Sequence, residues 1–301
     1  MTTFRNMTIK PDSSFNCGEE ASEPQVRAHI PIIRMEGPHR SNSFKLRTLW
    51  GSRELLYFLV WREVKVRYKQ TAIGISWAIL QPLMMMVIFA LIFGRFAKIP
   101  SDGLPYPIFA YSALLPWIYF SQAVTRGGNS LIGDASLLRK VYFPRLIIPL
   151  SAVLAPLIDF FCSLLLLFGM MQWYGIAPTW SLLLMPVYLL IALLTALSMS
   201  LWLAPLNVRY RDIGIVIPVL MQLWMYASPV VYPVSLIPEK WRFLYSLNPM
   251  AGVIGGFRWA LVGQATPDLV VLGVSVIMVL LLFCGGIAFF KRMEPTFADL
   301  V

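Results

Sequence analysis

Two kinds of side chain in this sequence have chemistry to offer: aromatic rings set in apolar runs, and a run of cations just ahead of the first such run. Trp117, Tyr119, Trp224 and Tyr226 carry flat faces on which the C–H faces of sugar rings stack. Stacking of that kind tolerates many sugars and would let a polymer slide. The plainer reading of these and the other boundary aromatics is an interfacial belt. Arg62, Lys65, Arg67 and Lys69 fall in one short stretch, where they would attract anionic headgroups.

The missing chemistry is equally informative. No GxxxxGK[ST] loop occurs, and Gly127 to Gly133 lacks the Lys and Ser/Thr that such a loop requires, so the chain is not expected to hydrolyse ATP alone. Both histidines, His29 and His39, lie in a polar leading segment, which leaves no nucleophile–base set and no metal site. Asp134, Asp212 and Glu294 are isolated, so the acidic pair of a sugar-nucleotide enzyme is missing. Asp159 is a lone acid inside an apolar run. We read it first as a carboxyl bonded to a neighbouring helix, and second as a polar contact in a pore.

The elements that must position these residues are set by composition. The 301 residues are 58% hydrophobic and only 13% charged, against roughly 25% charged in soluble domains. Mean hydropathy is +0.68. Lipid is therefore the solvent for most of the chain. The net charge of +10 reads as cytoplasmic loops and headgroup attraction rather than nucleic acid. The three cysteines, Cys17, Cys162 and Cys284, suggest no disulfide framework.

The fold class expected is an all-α polytopic membrane protein. Residues 1–45 read as a flexible cytoplasmic tail without a cleaved signal, and residues 46–301 as one membrane domain. Ser52 to Lys69 reads as an amphipathic helix lying along the cytoplasmic surface, with Glu54, Arg62, Lys65 and Lys69 on one face and Glu63 able to pair with Arg67. Six spans follow, at about Ile73–Phe93 (kinked at Gln81-Pro82), Ile108–Val124, Leu146–Trp173, Trp180–Leu203, Ile213–Tyr232 and Leu269–Phe290. Between spans two and three, Arg126 to Arg145 reads as a polar segment with a short helical core. Leu206 to Asp212 reads as a loop. Pro238 to Gly263 holds two short apolar pieces divided by Asn248-Pro249, with Asn248 as N-cap and Pro249 in the first turn. They read as a re-entrant helix pair between spans five and six. Most Lys and Arg near span ends, among them Arg126, Arg139, Lys140, Arg209, Arg211, Lys291 and Arg292, then face one side, which places both termini in the cytoplasm.

With these residues in view, VRYKQTAIGISWAILQPLMMMVIFALIFG (Val66 to Gly94) resembles the permease subunits of ABC-2 type polysaccharide exporters. LLPWIYF (Leu114 to Phe120), LLRKVYFPRLIIPL (Leu137 to Leu150), LNVRYRDIG (Leu206 to Gly214), SPVVYP (Ser228 to Pro233) and LNPMAGVIGGFRWAL (Leu247 to Leu261) follow in the same order. The resemblance covers about Trp50 to Phe290 and leans to O-antigen and lipopolysaccharide exporters; teichoic acid, capsule polysaccharide or another lipid or drug are the alternatives. It implies a multi-pass protein of the bacterial inner membrane. It also implies a homodimer bound to two ATP-binding cassette subunits, which hold the ATP and Mg; this chain itself binds no cofactor. The implied substrate is a polysaccharide linked to undecaprenyl diphosphate, passing through a channel between protomers.

The same resemblance implies roles for residues. The loop around Gly128 to Leu138 would be a coupling helix seated on the ATPase, through Asn129, Ser130, Leu131, Ile132, Asp134, Leu137 and Leu138. Ser52 to Lys69 would be an interface helix at the substrate entrance, where Arg62, Lys65, Arg67 and Lys69 draw the carrier diphosphate. The re-entrant pair, with Trp241, Asn248, Pro249 and Arg258, would narrow the exit, and the four aromatics would line the passage.

Overall fold

A computed structural model describes residues 51–69, 74–140, 143–263 and 269–297. The leading tail, with Cys17, His29 and His39, lies outside the described residues. Among the described residues the chain is entirely helical, without a strand.

Helix α1 (Arg53–Tyr68) falls where a helix was expected over Ser52 to Lys69. It packs on α5 (Ile147–Leu154); Leu59 is buried, while Tyr57, Phe58 and Trp61 stay exposed. Next, a 3₁₀ turn, α2 (Trp77–Phe89) and a π-helical stretch (Ala90–Phe96) run together as one apolar rod over Gly74–Phe96. Pro82 lies within α2 and cannot donate to the carbonyl four residues earlier, that of Ala78. The Ser163 hydroxyl donates to that carbonyl at 2.9 Å, so the polar atom released by the proline is satisfied across helices.

Helix α3 (Tyr106–Gly133) is the hub: α2, α5, α6 (Leu157–Trp173), α7 (Met185–Arg209), α8 (Ile213–Tyr226) and α10 (Pro249–Val262) all pack on it. It corrects the expected break after Val124. The helix continues through Arg126 and ends only at Gly133, 28 residues and about 42 Å in all. A turn at Asp134 leads into α4 (Ala135–Lys140), so the expected coupling helix is two pieces meeting at a bend. Gly127 and Gly128 allow the continuation. A Cβ on Gly127 would stand 2.1 Å from Ser200 Oγ, and one on Gly128 would stand 2.5 Å from Ile217. Polar sequence here marks close helix packing rather than a loop.

Among the described residues, four helical stretches are long and apolar enough to cross a membrane: Gly74–Phe96, Ile147–Trp173, Trp180–Arg209 and Val270–Met293. The second of these is interrupted at Ala155-Pro156, between α5 and α6. Helix α3 is long enough, but its hydroxyls and aromatics lower its apolarity; walled in by other helices, it has little surface to present to lipid. Helix α7 runs to Arg209, which shortens the expected loop at Leu206. Helix α8 ends at Tyr226 rather than Tyr232, because Ser228 to Pro233 forms turns around Pro229 and Pro233. At 14 residues α8 reaches about 21 Å, short of ~30 Å of hydrocarbon.

Helices α9 (Glu239–Ser246) and α10 flank Asn248-Pro249. The Asn248 side chain accepts from Met250 N at 3.1 Å, Pro249 sits in the first turn, and Gly263 closes α10 at φ 72°, as an αL cap. Helix α11 (Leu269–Met293) packs on α7, with the Trp202 and Phe289 rings stacked at 4.9 Å.

A paired substitution tests the α7–α10 contact. A Cβ on Gly256 would lie 2.0 Å from the buried Tyr188 ring, whereas one on the adjacent Gly255 meets nothing within 4 Å. Gly256→Ala is expected to cost about 1–3 kcal/mol, seen as a lowered thermal midpoint of the detergent-purified chain. Gly255→Ala should leave the midpoint unchanged or raise it slightly.

Candidate functional site

Among the described residues, three groups of polar side chains join separate helices. The first lies between α1, α3 and α6. The interruption at Pro156 starts a new helix, and Asp159 falls in its first turn, where the positive end of the helix dipole favours a carboxylate. Asp159 is 6% exposed. Its Oδ2 accepts from Arg67 Nη1 and its Oδ1 from the Tyr68 hydroxyl, so consecutive residues of α1 occupy both oxygens. Arg67 Nη1 also donates to Gln122 Oε1 on α3 at 3.1 Å. Burial, and then the bond to Asp159, hold the Tyr68 phenol above its ordinary pKa, so it stays a donor.

This corrects the expected Glu63–Arg67 pair. Arg67 serves Asp159, and Glu63 pairs with the adjacent Arg62 at 3.3 Å. A buried carboxylate loses more without a cation than a half-exposed glutamate does, so it claims the arginine. Asp159 itself follows the first of its two readings, a carboxyl bonded to a neighbouring helix.

The second place is the bend after α3. Asp134 forms an ion pair with Arg62, joining α1 to the segment expected to couple. Asn129 turns inward: it donates to Thr125 O at 2.8 Å and accepts from Asn207 Nδ2 at 2.8 Å. Asn207, buried at 1% exposure, also donates to Gly128 O and accepts from Gly214 N at 2.9 Å, which ties α3, α7 and the start of α8 into one knot. Ser130 and Leu131 are buried, Leu137 and Leu138 are partly buried, and Ile132 is exposed. The side chains of Arg139 and Lys140 lie outside what is described.

The third place is the N-terminal end of α3, the opposite end from Arg126. Asn248 is fully used, accepting from Trp224 Nε1 at 3.0 Å and donating to Ser228 Oγ at 2.9 Å. Arg258 is 8% exposed, lies 3.6 Å from the Phe109 ring centroid and donates to Val230 O at 2.9 Å. Tyr106 donates to the next carbonyl, Val231 O, at 2.8 Å. The Ser228–Pro233 turn is thus clamped from two helices. Trp241 is exposed.

The four aromatics do not share one surface. Trp117 and Tyr119 are buried within the protomer at 3% and 2% exposure, and Tyr119 donates to Val153 O. Trp224 is half-buried, edge-on to Phe120 at 5.3 Å, and Tyr226 is exposed. Among the entrance cations, Lys65 and Lys69 are exposed, with Lys65 Nζ 5.4 Å from the Trp61 ring centroid. Sequence reading missed Tyr68, Gln122 and Asn207, because their partners lie 91, 55 and 78 positions away.

Comparison with known proteins bears on this arrangement. The family model described as ABC-2 type transporter matches residues 54–262. The O-antigen export system permease protein RfbA of Myxococcus xanthus is 34% identical over 253 residues, covering 83% of this chain and 96% of that protein. An O-antigen export system permease protein RfbA of Klebsiella pneumoniae is 27% identical over 249 residues, 82% of this chain and 95% of that protein. The polysialic acid transport protein KpsM of Escherichia coli is 22% identical over 243 residues, 77% of this chain and 91% of that protein.

The Arg67–Asp159 pair gives a thermodynamic cycle. Arg67→Leu is expected to cost about 3–5 kcal/mol by stranding a buried carboxylate. Adding Asp159→Leu should recover at least half of that loss, measured as the thermal midpoint of the purified chain. If the double variant is as unstable as the sum of the singles, the two side chains act independently.

Proposed function

The chain belongs to the ABC-2 type transporter family, and from that premise we propose that it is the transmembrane subunit of an ATP-driven exporter of lipid-linked polysaccharide. The substrate proposed is O-antigen-like and moves from the cytoplasmic side across the bacterial inner membrane. The near full-length similarity to O-antigen export permeases carries the reading, and the weaker similarity to a polysialic acid permease ranks capsule export second. Teichoic acid or another lipid or drug is the remaining alternative.

The finer architecture belongs to the same proposal. The four long apolar stretches are joined by α3 and α8 to make six spans, with both termini cytoplasmic. Residues 1–45 form a cytoplasmic tail. Helix α1 lies along the membrane surface, where exposed Tyr57, Phe58 and Trp61 meet lipid and Lys65 and Lys69 face headgroups. Helices α9 and α10 re-enter from the outer face, too short at about 12 and 21 Å to cross. Two copies of the chain pair with two ATP-binding subunits, which bind ATP and Mg and perform the hydrolysis. Trp224 and Tyr226 are the aromatics best placed to meet glycan, being the two of the four with exposed surface.

Mechanically, the bend at Asp134 sits where an ATP-binding subunit would push. Its ion pair with Arg62 passes that displacement to α1 at the entrance. The knot of Asn129, Asn207 and Gly214 passes it to α8. The second ion pair, Arg67–Asp159, pivots the far end of α1 on α6. One rigid element is thereby held to a moving part at one point and to a span at another.

Two experiments test this. Deleting the gene should trap lipid-linked glycan on the inner face and deplete surface polysaccharide, and restoring the full chain should reverse both. Unchanged surface glycan in the deletion strain rejects the reading. For the linkage, Arg62→Asp and Asp134→Arg should each reduce export about tenfold, and the double swap should restore at least a third of it. Export that ignores both single changes removes the ion pair from the mechanism.

A further inference from the structure

Arg145 stands where the chain returns from α4 toward the bundle. Its carbonyl accepts from Ile148 N at 3.2 Å, so it belongs to the turn that starts α5. Helix α5 in turn packs on α1, α3 and α7. The Arg145 side chain reaches 149 positions along the chain, to the segment that follows α11. There Nη1 donates to the Glu294 carbonyl, and the guanidinium lies 6.0 Å from the Phe297 ring centroid.

Burial holds that segment as well as the bond does. A 3₁₀ turn (Glu294–Thr296) closes α11 and brings Phe297 back to the core, where it is 2% exposed. Its ring meets the buried Phe290 edge-on at 5.3 Å. Phe143 and Leu146, on either side of Pro144-Arg145, pack against the same core. One guanidinium then closes the contact with a donor and a flat cationic face together, which an ammonium does not combine.

Helix α11 gives this contact its reach. It packs on α7, α9 and α10. Near its start Ser275 is buried, and its hydroxyl donates to Ser246 O, at the end of α9, at 3.4 Å. A Cβ on Gly252 of α10 would stand 2.6 Å from the same hydroxyl oxygen. From Ser275 to Met293 the helix runs about 27 Å without a break. One end of α11 is thus gripped beside the α4–α5 connection, and the other is seated against α9 and α10.

We infer that Arg145 is a positioning residue for coupling: its grip on Glu294–Phe297 ties the start of α5 to the end of α11, and α11 carries displacement of the α4–α5 connection to α9 and α10. This rests on the export reading and adds a route apart from α3 and the Arg62–Asp134 pair. The rod is a packed helix held at both ends, so movement at one end is felt at the other.

The test uses the full chain co-purified with its ATP-binding subunit in nanodiscs. Cys17, Cys162 and Cys284 are changed to serine, and Trp241→Cys, at an exposed position of α9, reports through its rate of maleimide labelling. ATP should change that rate about threefold in this parent and leave it nearly unchanged with Arg145→Gln, while ATP hydrolysis stays within about twofold. Arg145→Lys keeps a donor without the flat face and should fall between. Glu294→Ala should match the parent, because the carbonyl rather than the carboxylate is bonded. A parental response in Arg145→Gln overturns the inference, as does a response lost equally in Glu294→Ala. Loss of hydrolysis together with the response marks a general defect of the fold and also overturns it. If Arg145→Gln does not co-purify with the ATP-binding subunit, the lysine variant decides, and a parental response there overturns the assignment. Surface glycan export is scored in parallel. A parent that exports glycan while its α9 labelling ignores ATP sinks this route and leaves the export reading standing. A wild-type chain that exports none sinks both.

Discussion

A carboxylate inside an apolar bundle has to be answered from somewhere, and the answer given to Asp159 organises one end of this molecule. At 6% exposure it cannot rely on water. Its own helix offers only a positive N-terminal end, so two donors come from α1, Arg67 and Tyr68. Holding those donors in place fixes the C-terminal end of α1 against α6. It also draws Gln122 of α3 into the same group through Arg67.

The rest of the bundle meets a related constraint, that polar backbone atoms need partners where water is scarce. Pro82 leaves the Ala78 carbonyl open and Ser163 closes it from another helix. Along α7, Thr195, Ser198 and Ser200 each return their hydroxyl to the carbonyl four residues earlier, at 2.6–2.7 Å. This keeps α7 polar enough to accept close glycine contacts yet satisfied within itself. Close approach follows at Gly127 and Gly256, where a methyl group would overlap Ser200 or Tyr188.

These two constraints connect the parts of the proposed machine. The helix proposed for the entrance and the segment proposed to receive force from an ATP-binding subunit are distant in sequence, yet Arg62 and Asp134 join them. At the other end, Asn248 and Arg258 bind the Ser228–Pro233 turn to α10 and to Phe109 of α3. Helix α3 touches both regions, so in the proposed mechanism a push at its C-terminal bend would reach the far clamp along a single helix.

Much was legible in the residues themselves. Lipid as solvent, helices as the only element among the described residues, the Ser52–Lys69 helix and the Asn248-Pro249 helix start follow from composition and local capping, because those signals lie within a few residues of one another. The order of motifs pointed to the family for the same reason. Tertiary structure decided the remainder. Helix α3 runs on through Arg126 because glycines let α7 and α8 approach, which polarity alone misread as a loop. Arg67 turned from Glu63 to Asp159 because burial raises the value of a charge partner, and burial is not written locally. Trp117 and Tyr119 are buried, with Tyr226 left exposed, by which helices surround them. What a residue prefers is local chemistry; which preference wins depends on neighbours brought from far along the chain, and only the folded packing supplies them.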